Sequence, residues 1–86
     1  MSYTYVLKSK QKGTWYIGST SDLRKRLKQH NDGLSAYTKK DRPWEIIYYE
    51  ACLLREDSQS REIYLKSGMG RRYIKNRIKR FLSLTG

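Results

Sequence analysis

Residues suited to chemistry on a phosphodiester lie close together in the first third of the chain. Tyr16 and Gly18 end one apolar segment, and Arg26 and His30 follow it within a helical segment. A guanidinium can stabilise negative charge on a phosphoryl oxygen, and tyrosine and histidine side chains can transfer protons. The sequence therefore predicts a phosphate site where the helix brings Arg26 and His30 back toward Tyr16.

The predicted helix over Leu23 to Asn31 places this arginine and histidine on its apolar side. Leu23, Arg26, Leu27 and His30 recur at helical spacing, so they share one stripe. Burying an unpaired cation costs on the order of several kcal/mol, and Arg26 is therefore expected to face a cleft that receives an anion. An internal salt bridge, or a stem that carries the charge to the rim, remain alternatives. A lone histidine near a helix end is more often a cap or a packed polar group. His30 is a candidate site residue because it follows Arg26 by one helical turn.

Glu62 is the acidic residue that the sequence singles out, within a predicted helix over Glu56 to Lys66. One carboxylate can hold a magnesium ion that otherwise keeps its waters and binds substrate phosphate. The alternative is a surface pair with Lys66 one turn later, which would contribute a few tenths of a kcal/mol. Spacing alone favours that pair.

These residues need a small mixed fold to position them. A turn signal at Lys10 to Gly13 joins the first two strands as a hairpin, and Ser67 to Gly70 breaks the helical pattern. The order strand, strand, helix, strand, helix, helix predicts an α+β fold, with a small central three-stranded antiparallel or mixed sheet flanked by helices. The length predicts one domain over residues 1–86. The predicted strands are Tyr3–Leu7, Thr14–Gly18 and Trp44–Tyr49, and the predicted helices are Leu23–Asn31, Glu56–Lys66 and Arg71–Leu82.

The charge of the chain indicates a polyanionic partner. It has 19 Lys and Arg against 8 Asp and Glu, a formal net charge of +11, which favours nucleic acid or an anionic membrane surface. A merely soluble basic protein is the alternative. The residues expected to contact the phosphate backbone rather than bases are Lys25, Lys28, Lys39, Lys40, Arg71, Arg72 and Lys75. Most of the eight tyrosines are expected to be packing residues, although some could stack on bases.

Other classes lack their sequence signals. No apolar run approaches the roughly 20 residues of a membrane span, and from the strand-like first residues no secretory leader is expected. Cys52 is the only cysteine, which excludes an internal disulfide and a thiolate zinc site. No phosphate-binding glycine loop with a lysine is present. The sequence predicts a cytoplasmic protein and, of the two polyanions, nucleic acid rather than a membrane as its partner.

Together these residues resemble the GIY-YIG nuclease superfamily, in particular its small stand-alone bacterial members. The group includes the N-terminal nuclease module of an excinuclease component of nucleotide-excision repair. The first family motif is degenerate here, as Tyr3-Thr4-Tyr5, and lacks its glycine, while the second is intact as Tyr16-Ile17-Gly18. The likeness extends to about Ile78.

The family's functional residues carry over one by one. Tyr5 and Tyr16 stand at the two motif tyrosines, and Arg26 at the arginine of the following helix. His30 matches a histidine found in several members, and Glu62 matches the metal-binding glutamate. Many members also have an asparagine that lines the site from the last helix, for which the nearest candidate is Asn76.

The resemblance implies a metal-dependent endonuclease that hydrolyses DNA with one divalent ion, Mg²⁺ or Mn²⁺. Tyr16 would assist deprotonation of the attacking water, and Arg26 would stabilise the phosphoryl oxygens. Glu62 would hold the ion, which would stabilise the leaving 3′ oxygen. Tyr5 and His30 would orient the water and the phosphate, or share the proton transfer.

The implied partner is DNA, with branched or damaged forms as candidates and repair as one candidate role. An alternative is a nucleic-acid-binding module that kept the fold and lost turnover. A third alternative is a basic protein associated with RNA or the ribosome. The oligomeric state is left open by the sequence.

Overall fold

A computed structural model describes residues 1–85, which form one three-stranded sheet and four α-helices. The predicted α+β fold is confirmed, and the sheet is wholly antiparallel. Among the helices of residues 1–85, none combines the length and the apolar composition that a membrane span requires. The strands are β1 (Ser2–Ser9), β2 (Trp15–Thr20) and β3 (Trp44–Cys52), and the helices are α1 (Leu23–Asn31), α2 (Arg55–Lys66), α3 (Gly68–Arg77) and α4 (Lys79–Thr85).

The sheet has the strand order β2-β1-β3, so the first strand of the chain is its centre. Tyr5 pairs with Gly18 of β2 on one side and with Tyr49 of β3 on the other. Because helices cover both faces of this central strand, Val6 and Leu7 are fully buried. The outer position of β2 leaves its far edge open.

Side chains alternate between the two faces of β1, and each face has its own helical cover. The α1 face, which packs against Leu23 and Leu27 of α1, has a buried cluster of Tyr5, Leu7 and Trp44. The α2–α3 face packs against α2 and α3, and its buried cluster is Val6, Ile17, Leu65 and Ile74. The core is therefore two thin layers, with β1 contributing to both.

The boundary between α2 and α3 is tighter than the sequence predicts. The break is confined to Ser67, whose hydroxyl accepts a hydrogen bond from the backbone N–H of Gly70 and caps α3. A Cβ atom at Gly70 would lie 2.0 Å from the carbonyl oxygen of Tyr64. Only glycine therefore allows the two helices to approach so closely.

The predicted single helix over Arg71–Leu82 is wrong as one helix: it is two helices in the structure, and they extend beyond both predicted ends. The helical residues begin earlier, at Gly68, and α3 ends at Arg77. Ile78 then adopts a φ of −117° and a ψ of 29°, outside helical values, and a separate helix α4 starts at Lys79. Ile78 packs against the α2–α3 cluster, so its apolar side chain continues the helical pattern while its backbone does not.

Candidate functional site

A buried chain of hydrogen bonds lies between β1 and α1. The Tyr5 hydroxyl is 3.0 Å from Nε2 of His30, and Nδ1 of the same ring is 2.8 Å from Oγ1 of Thr38. Tyr5 is 2% exposed, and His30 and Thr38 are fully buried. Each polar group in this row therefore has a partner inside the protein, as buried polar groups require.

The environment of this row fixes its protonation at neutral pH. Burial, assisted by the positive charge of Arg26, lowers the pKa of His30 to about 4, so the imidazole is neutral. Burial also raises the pKa of Tyr5 to about 12, with Arg26 acting in the opposite direction. Tyr5 therefore keeps its proton and can donate it in a hydrogen bond to a neutral imidazole.

The direction of the hydrogen bonds follows from Thr38. Its hydroxyl lies 3.5 Å from the carbonyl oxygen of Ser35, to which it can donate. That arrangement favours the His30 tautomer with hydrogen on Nδ1, because Oγ1 of Thr38 then accepts from Nδ1. Nε2 is left free to accept the hydrogen bond from Tyr5.

The ring of Tyr16 packs against His30, and Gly18, also in β2, makes room for the Tyr5 side chain. The Tyr16 ring centroid is 4.9 Å from the imidazole and 6.4 Å from the Tyr5 ring. A Cβ atom at position 18 would lie 2.6 Å from the Tyr5 hydroxyl oxygen. Gly18 is thus needed because the Tyr5 side chain crosses over its backbone, which gives the Tyr-Ile-Gly motif a steric reason.

Arg26 brings a positive charge to this site without a neutralising carboxylate. Its Nη1 atom donates to Oε1 of Gln29 at 3.0 Å. Among residues 1–85 no carboxylate is within ion-pair distance of Arg26, so the internal salt bridge left open by the sequence is not formed there. The half-buried guanidinium is available to an incoming anion.

Glu62 reaches the same region from α2, at the outer edge of β2. Ser19 Oγ donates to its Oε1 atom at 2.7 Å, and Lys66 Nζ donates to its Oε2 atom at 2.7 Å. The Lys66 pair favoured by spacing is therefore formed, together with a second partner. After burial, the charges that act on the pKa of Tyr5 include Glu62 and Tyr16 as well as Arg26, so these groups share one electrostatic environment.

The fit of Glu62 to a divalent ion depends on its two partners. Within the described part of the chain no group of three or more His, Cys, Asp or Glu residues could hold a metal. Magnesium often binds through a single carboxylate, retained waters and substrate phosphates. Glu62 fits such a site if Lys66 moves from Oε2 to a substrate phosphate.

Asn76 lies apart from the tyrosines in the structure. It is on the exposed side of α3, where it lines a hollow with Met69, Arg72 and Tyr73. The structure places it with these residues rather than with Tyr5 and His30. Its role in lining the site stays a prediction.

The predicted phosphate-contacting residues are all exposed and lie on three parts of the fold. Arg71 lines a groove beside β2 that Tyr16 and Lys66 also line. Arg72 instead lines the hollow on α3 that contains Asn76. Lys28 forms an ion pair with Asp32, one turn later in α1. Of this set, Arg71 is the residue placed beside Tyr16; the others lie on α1, the loop before β3, and α3: Lys25, Lys28, Lys39, Lys40, Arg72 and Lys75.

Thr38 and Ser19 contact the candidate site residues although the sequence did not predict them there. Thr38 lies in a polar loop, and no local pattern marks it as a partner of His30. Ser19 had a usable signal, because it is the first polar residue after the Tyr-Ile-Gly motif. Its contact with Glu62 joins residues 43 positions apart, which spacing cannot reveal.

Comparison with known proteins places these features in a family. Residues 1–74 match the family described as the GIY-YIG catalytic domain. The chain is 45% identical over 65 residues to the UPF0213 protein YazA of Bacillus subtilis (strain 168), a match that covers 74% of this chain and 65% of YazA. It is 42% identical over 67 residues to the UPF0213 protein CPE1444 of Clostridium perfringens (strain 13 / Type A), covering 77% of this chain and 71% of that protein. The chain thus spans only 65% of YazA and somewhat more of CPE1444.

A solved structure has the same fold. The solution NMR structure of the UPF0213 protein BH0048 from Bacillus halodurans superposes with a TM-score of 0.55 at 28% identity. The superposition covers 91% of this chain and 86% of the other. The resemblance expected from the sequence is confirmed by these matches.

Proposed function

This chain belongs to the GIY-YIG family of catalytic domains, and on that basis we propose that it is a metal-dependent endonuclease that hydrolyses DNA phosphodiester bonds. The observation that carries the proposal is the Tyr5–His30 hydrogen bond, with Tyr16, Arg26 and Glu62 gathered around it. Three chemical roles are needed: a group for the phosphoryl charge, a group for the water proton, and a carboxylate for the ion.

Arg26 is assigned to the phosphoryl oxygens. Its guanidinium donates to the neutral amide of Gln29 and, within residues 1–85, to no carboxylate, so the positive charge stays uncompensated. In a partly desolvated site, a guanidinium positioned before the substrate arrives stabilises the charge that develops in the transition state. It also offers a planar donor fork that suits phosphate.

Tyr16 is assigned to the attacking water because of its position. A general base must come within hydrogen-bond reach of the proton that it accepts. Tyr16 lines the open hollow beside β2, whereas Tyr5 is buried and keeps its proton. Tyr5 and His30 are therefore positioning residues, because their rings pack against the ring of Tyr16.

Glu62 is the carboxylate that would hold a divalent ion, Mg²⁺ or Mn²⁺. Such an ion, when bound, stabilises negative charge on a leaving oxygen. Ser19 orients Oε1 of Glu62, and Lys66 neutralises Oε2 until substrate arrives. Phosphate groups of the substrate would compete for Lys66 and thereby free Oε2.

A second candidate function is nucleic-acid binding without turnover. The observation that favours it is the full occupation of Glu62, whose two oxygens already accept hydrogen bonds from Ser19 and Lys66. A protein of this kind would bind DNA with a strong salt dependence, and added Mg²⁺ or Mn²⁺ would produce no cleavage.

The test is a cleavage assay with matched controls. Supercoiled plasmid and branched, nicked and single-stranded oligonucleotides are incubated with Mg²⁺, Mn²⁺ or a chelator. Arg26→Ala is compared with Arg24→Ala, an exposed arginine of the same helix, and Glu62→Gln with Glu56→Gln, an exposed glutamate of α2. We expect the two site variants to lose roughly 100-fold or more in rate and the two controls to cleave like wild type. Cleavage by none of the proteins, or equal cleavage by all of them, contradicts the proposal.

A further inference from the structure

A groove of about 520 Å³ runs along the outer edge of β2, next to the proposed site. Tyr16 belongs to both, and Lys66 links them through its ion pair with Glu62. The volume is within the range of about 300–1,000 Å³ usual for ligand sites. The residues that line the groove are Trp15, Tyr16, Ile17, Tyr37, Lys66 and Arg71.

Tyr37 presents an aromatic ring to solvent in this groove. It is 82% exposed, and its ring centroid is 6.0 Å from that of Tyr16. The next residue, Thr38, is held by His30 through its hydroxyl, while its carbonyl oxygen accepts a 2.9 Å hydrogen bond from Nε1 of Trp44. The ring therefore extends from a backbone that is fixed on its buried side.

The groove combines this ring with positive charge. The Arg71 guanidinium lies over the Trp15 ring, 5.0 Å from its centroid, and Lys66 lines the same groove. Aromatic rings alternating with cations are the arrangement that binds single-stranded nucleic acid, because bases stack on the rings while phosphates contact the cations. A chain of formal charge +11 adds a general attraction for a polyanion.

We propose that this groove binds an unpaired nucleotide next to the cleaved phosphodiester, with its base on Tyr37 and its phosphates against Lys66 and Arg71. The position relative to the cleaved bond rests on the proposed function; binding in the groove does not. In an intact duplex each base stacks on its neighbours, so only an unpaired base can offer a face to Tyr37. The preferred substrate therefore carries a single-stranded segment, such as a flap, a fork or an overhang.

The proposal is tested by binding in the presence of a chelator, which separates binding from cleavage. Fluorescence anisotropy is measured for a blunt DNA duplex, the same duplex with a single-stranded overhang, and that overhang with abasic sugars. Wild type is expected to bind the normal overhang more tightly than the other two. Tyr37→Ala is expected to weaken binding to the overhang by roughly 5- to 150-fold, the usual effect of losing one stacking ring, and to leave blunt-duplex binding unchanged.

Three further variants separate stacking from other effects. Tyr37→Phe keeps the ring and should bind like wild type, whereas Tyr37→Leu keeps apolar area without a ring and should bind like Tyr37→Ala. Tyr49→Ala removes an exposed tyrosine of β3 that does not line the groove, and it should bind the overhang like wild type. An RNA overhang in a parallel arm distinguishes the two sugars, and dependence on Tyr37 in either arm supports the site.

The outcomes separate this inference from the proposed function. Binding that depends on Tyr37, without cleavage of any substrate, supports the groove and contradicts the endonuclease. Cleavage that depends on Arg26 and Glu62 while all Tyr37 variants bind the overhang like wild type overturns the groove and leaves the endonuclease intact. An equal loss of overhang binding in Tyr37→Ala and Tyr49→Ala also overturns it.

Discussion

The two faces of the sheet bury side chains of different chemistry, although β1 supplies residues to both. The α2–α3 face buries an aliphatic cluster in which Leu65 and Ile74 are fully buried. Its buried hydroxyl groups, those of Ser2, Thr4 and Ser58, form hydrogen bonds between β1 and α2 and include no ionisable group. The α1 face buries an imidazole and two hydroxyl groups that must satisfy one another. Aliphatic burial stabilises a fold directly, whereas buried polar groups add little net stability. The α2–α3 face therefore contributes more aliphatic burial to stability, while the α1 face combines a smaller apolar cluster with the candidate site.

Two arginines repeat the contrast. Arg61 of α2 donates two 2.8 Å hydrogen bonds to Glu50 and lies 4.9 Å from the ring centroid of Tyr64 and 5.3 Å from that of Tyr73. Arg26 of α1 has the amide of Gln29 instead. The first guanidinium is neutralised within the fold, whereas the second has no carboxylate partner among residues 1–85 and is the one proposed to bind phosphate.

The largest effect on stability is expected from a substitution in the aliphatic cluster of the α2–α3 face. Leu65→Ala should lower the free energy of unfolding by about 2–5 kcal/mol, because it removes transfer energy and leaves a cavity. Urea denaturation measures the change, and Leu53→Ala, at an exposed leucine, is the control. The predicted difference between the two faces is contradicted if Leu65→Ala lowers the free energy of unfolding by less than Tyr5→Phe does.

Lowering the pH should destabilise the protein through protonation of His30 on the α1 face. The folded pKa of about 4 lies below the usual 6.5, so the unfolded chain binds more protons between these values. The contribution of His30 to the free energy of unfolding is therefore fully present above pH 6.5. It is lost as the pH drops toward 4, which lowers the free energy of unfolding by up to about 3 kcal/mol.

Urea titrations of wild type and His30→Gln at pH 7.5, 5.5 and 4.5 measure this dependence. We expect His30→Gln to be less stable than wild type at pH 7.5 but to lose less stability on acidification. Parallel losses in the two proteins would assign the acid sensitivity to other groups.

The ion pair between Glu50 and Arg61 on the α2–α3 face should lose its contribution to stability at a lower pH than His30 does. The Arg61 guanidinium holds the pKa of Glu50 below its usual 4.5, so this contribution is present above pH 4.5 and disappears as the pH falls through the folded pKa. Glu50→Gln should cost about 2 kcal/mol at pH 7, the range for hydrogen bonds to charged groups. Glu45→Gln in the same strand, whose partner Lys10 is 3.8 Å away and exposed, should cost much less.

The smallest effect on stability is expected from single hydroxyl groups. Tyr5→Phe and Tyr48→Phe each remove a buried or half-buried hydroxyl, from His30 and from Glu50 respectively, and each should cost about 1 kcal/mol. They should differ in the cleavage assay, where Tyr5→Phe is expected to lose activity and Tyr48→Phe to keep it. Equal activity in the two variants would show that the α1 face is no more functional than the other.

The features that could be predicted from the sequence are those recorded in local spacing. Alternation predicts the strands, and the recurrence of Leu23 and Leu27 predicts which side of α1 turns inward. The break at Ile78 could not be predicted, because its apolar side chain fits the spacing of an unbroken helix. Local spacing gives the Glu62–Lys66 pair, which the structure contains.

Contacts between distant residues could not be predicted in this way. Thr38 meets His30 only because the loop before β3 folds back over α1, and Trp44 holds its carbonyl there. Ser19 meets Glu62 because α2 packs beside the outer strand. The steric link between Gly18 and Tyr5 likewise depends on the register of β1 and β2.

That steric link ties the choice of residue at position 18 to the choice at position 5. While a tyrosine occupies position 5, its hydroxyl fills the space that any β-carbon at position 18 would need. Replacing the Tyr5 ring with a short side chain would vacate that space, and an alanine at position 18 would then need only a small shift of Tyr16, whose Cε2 atom lies 3.2 Å from such a β-carbon. In related chains the two positions are therefore expected to co-vary, so that a missing glycine in the second motif signals a missing phenol in the first.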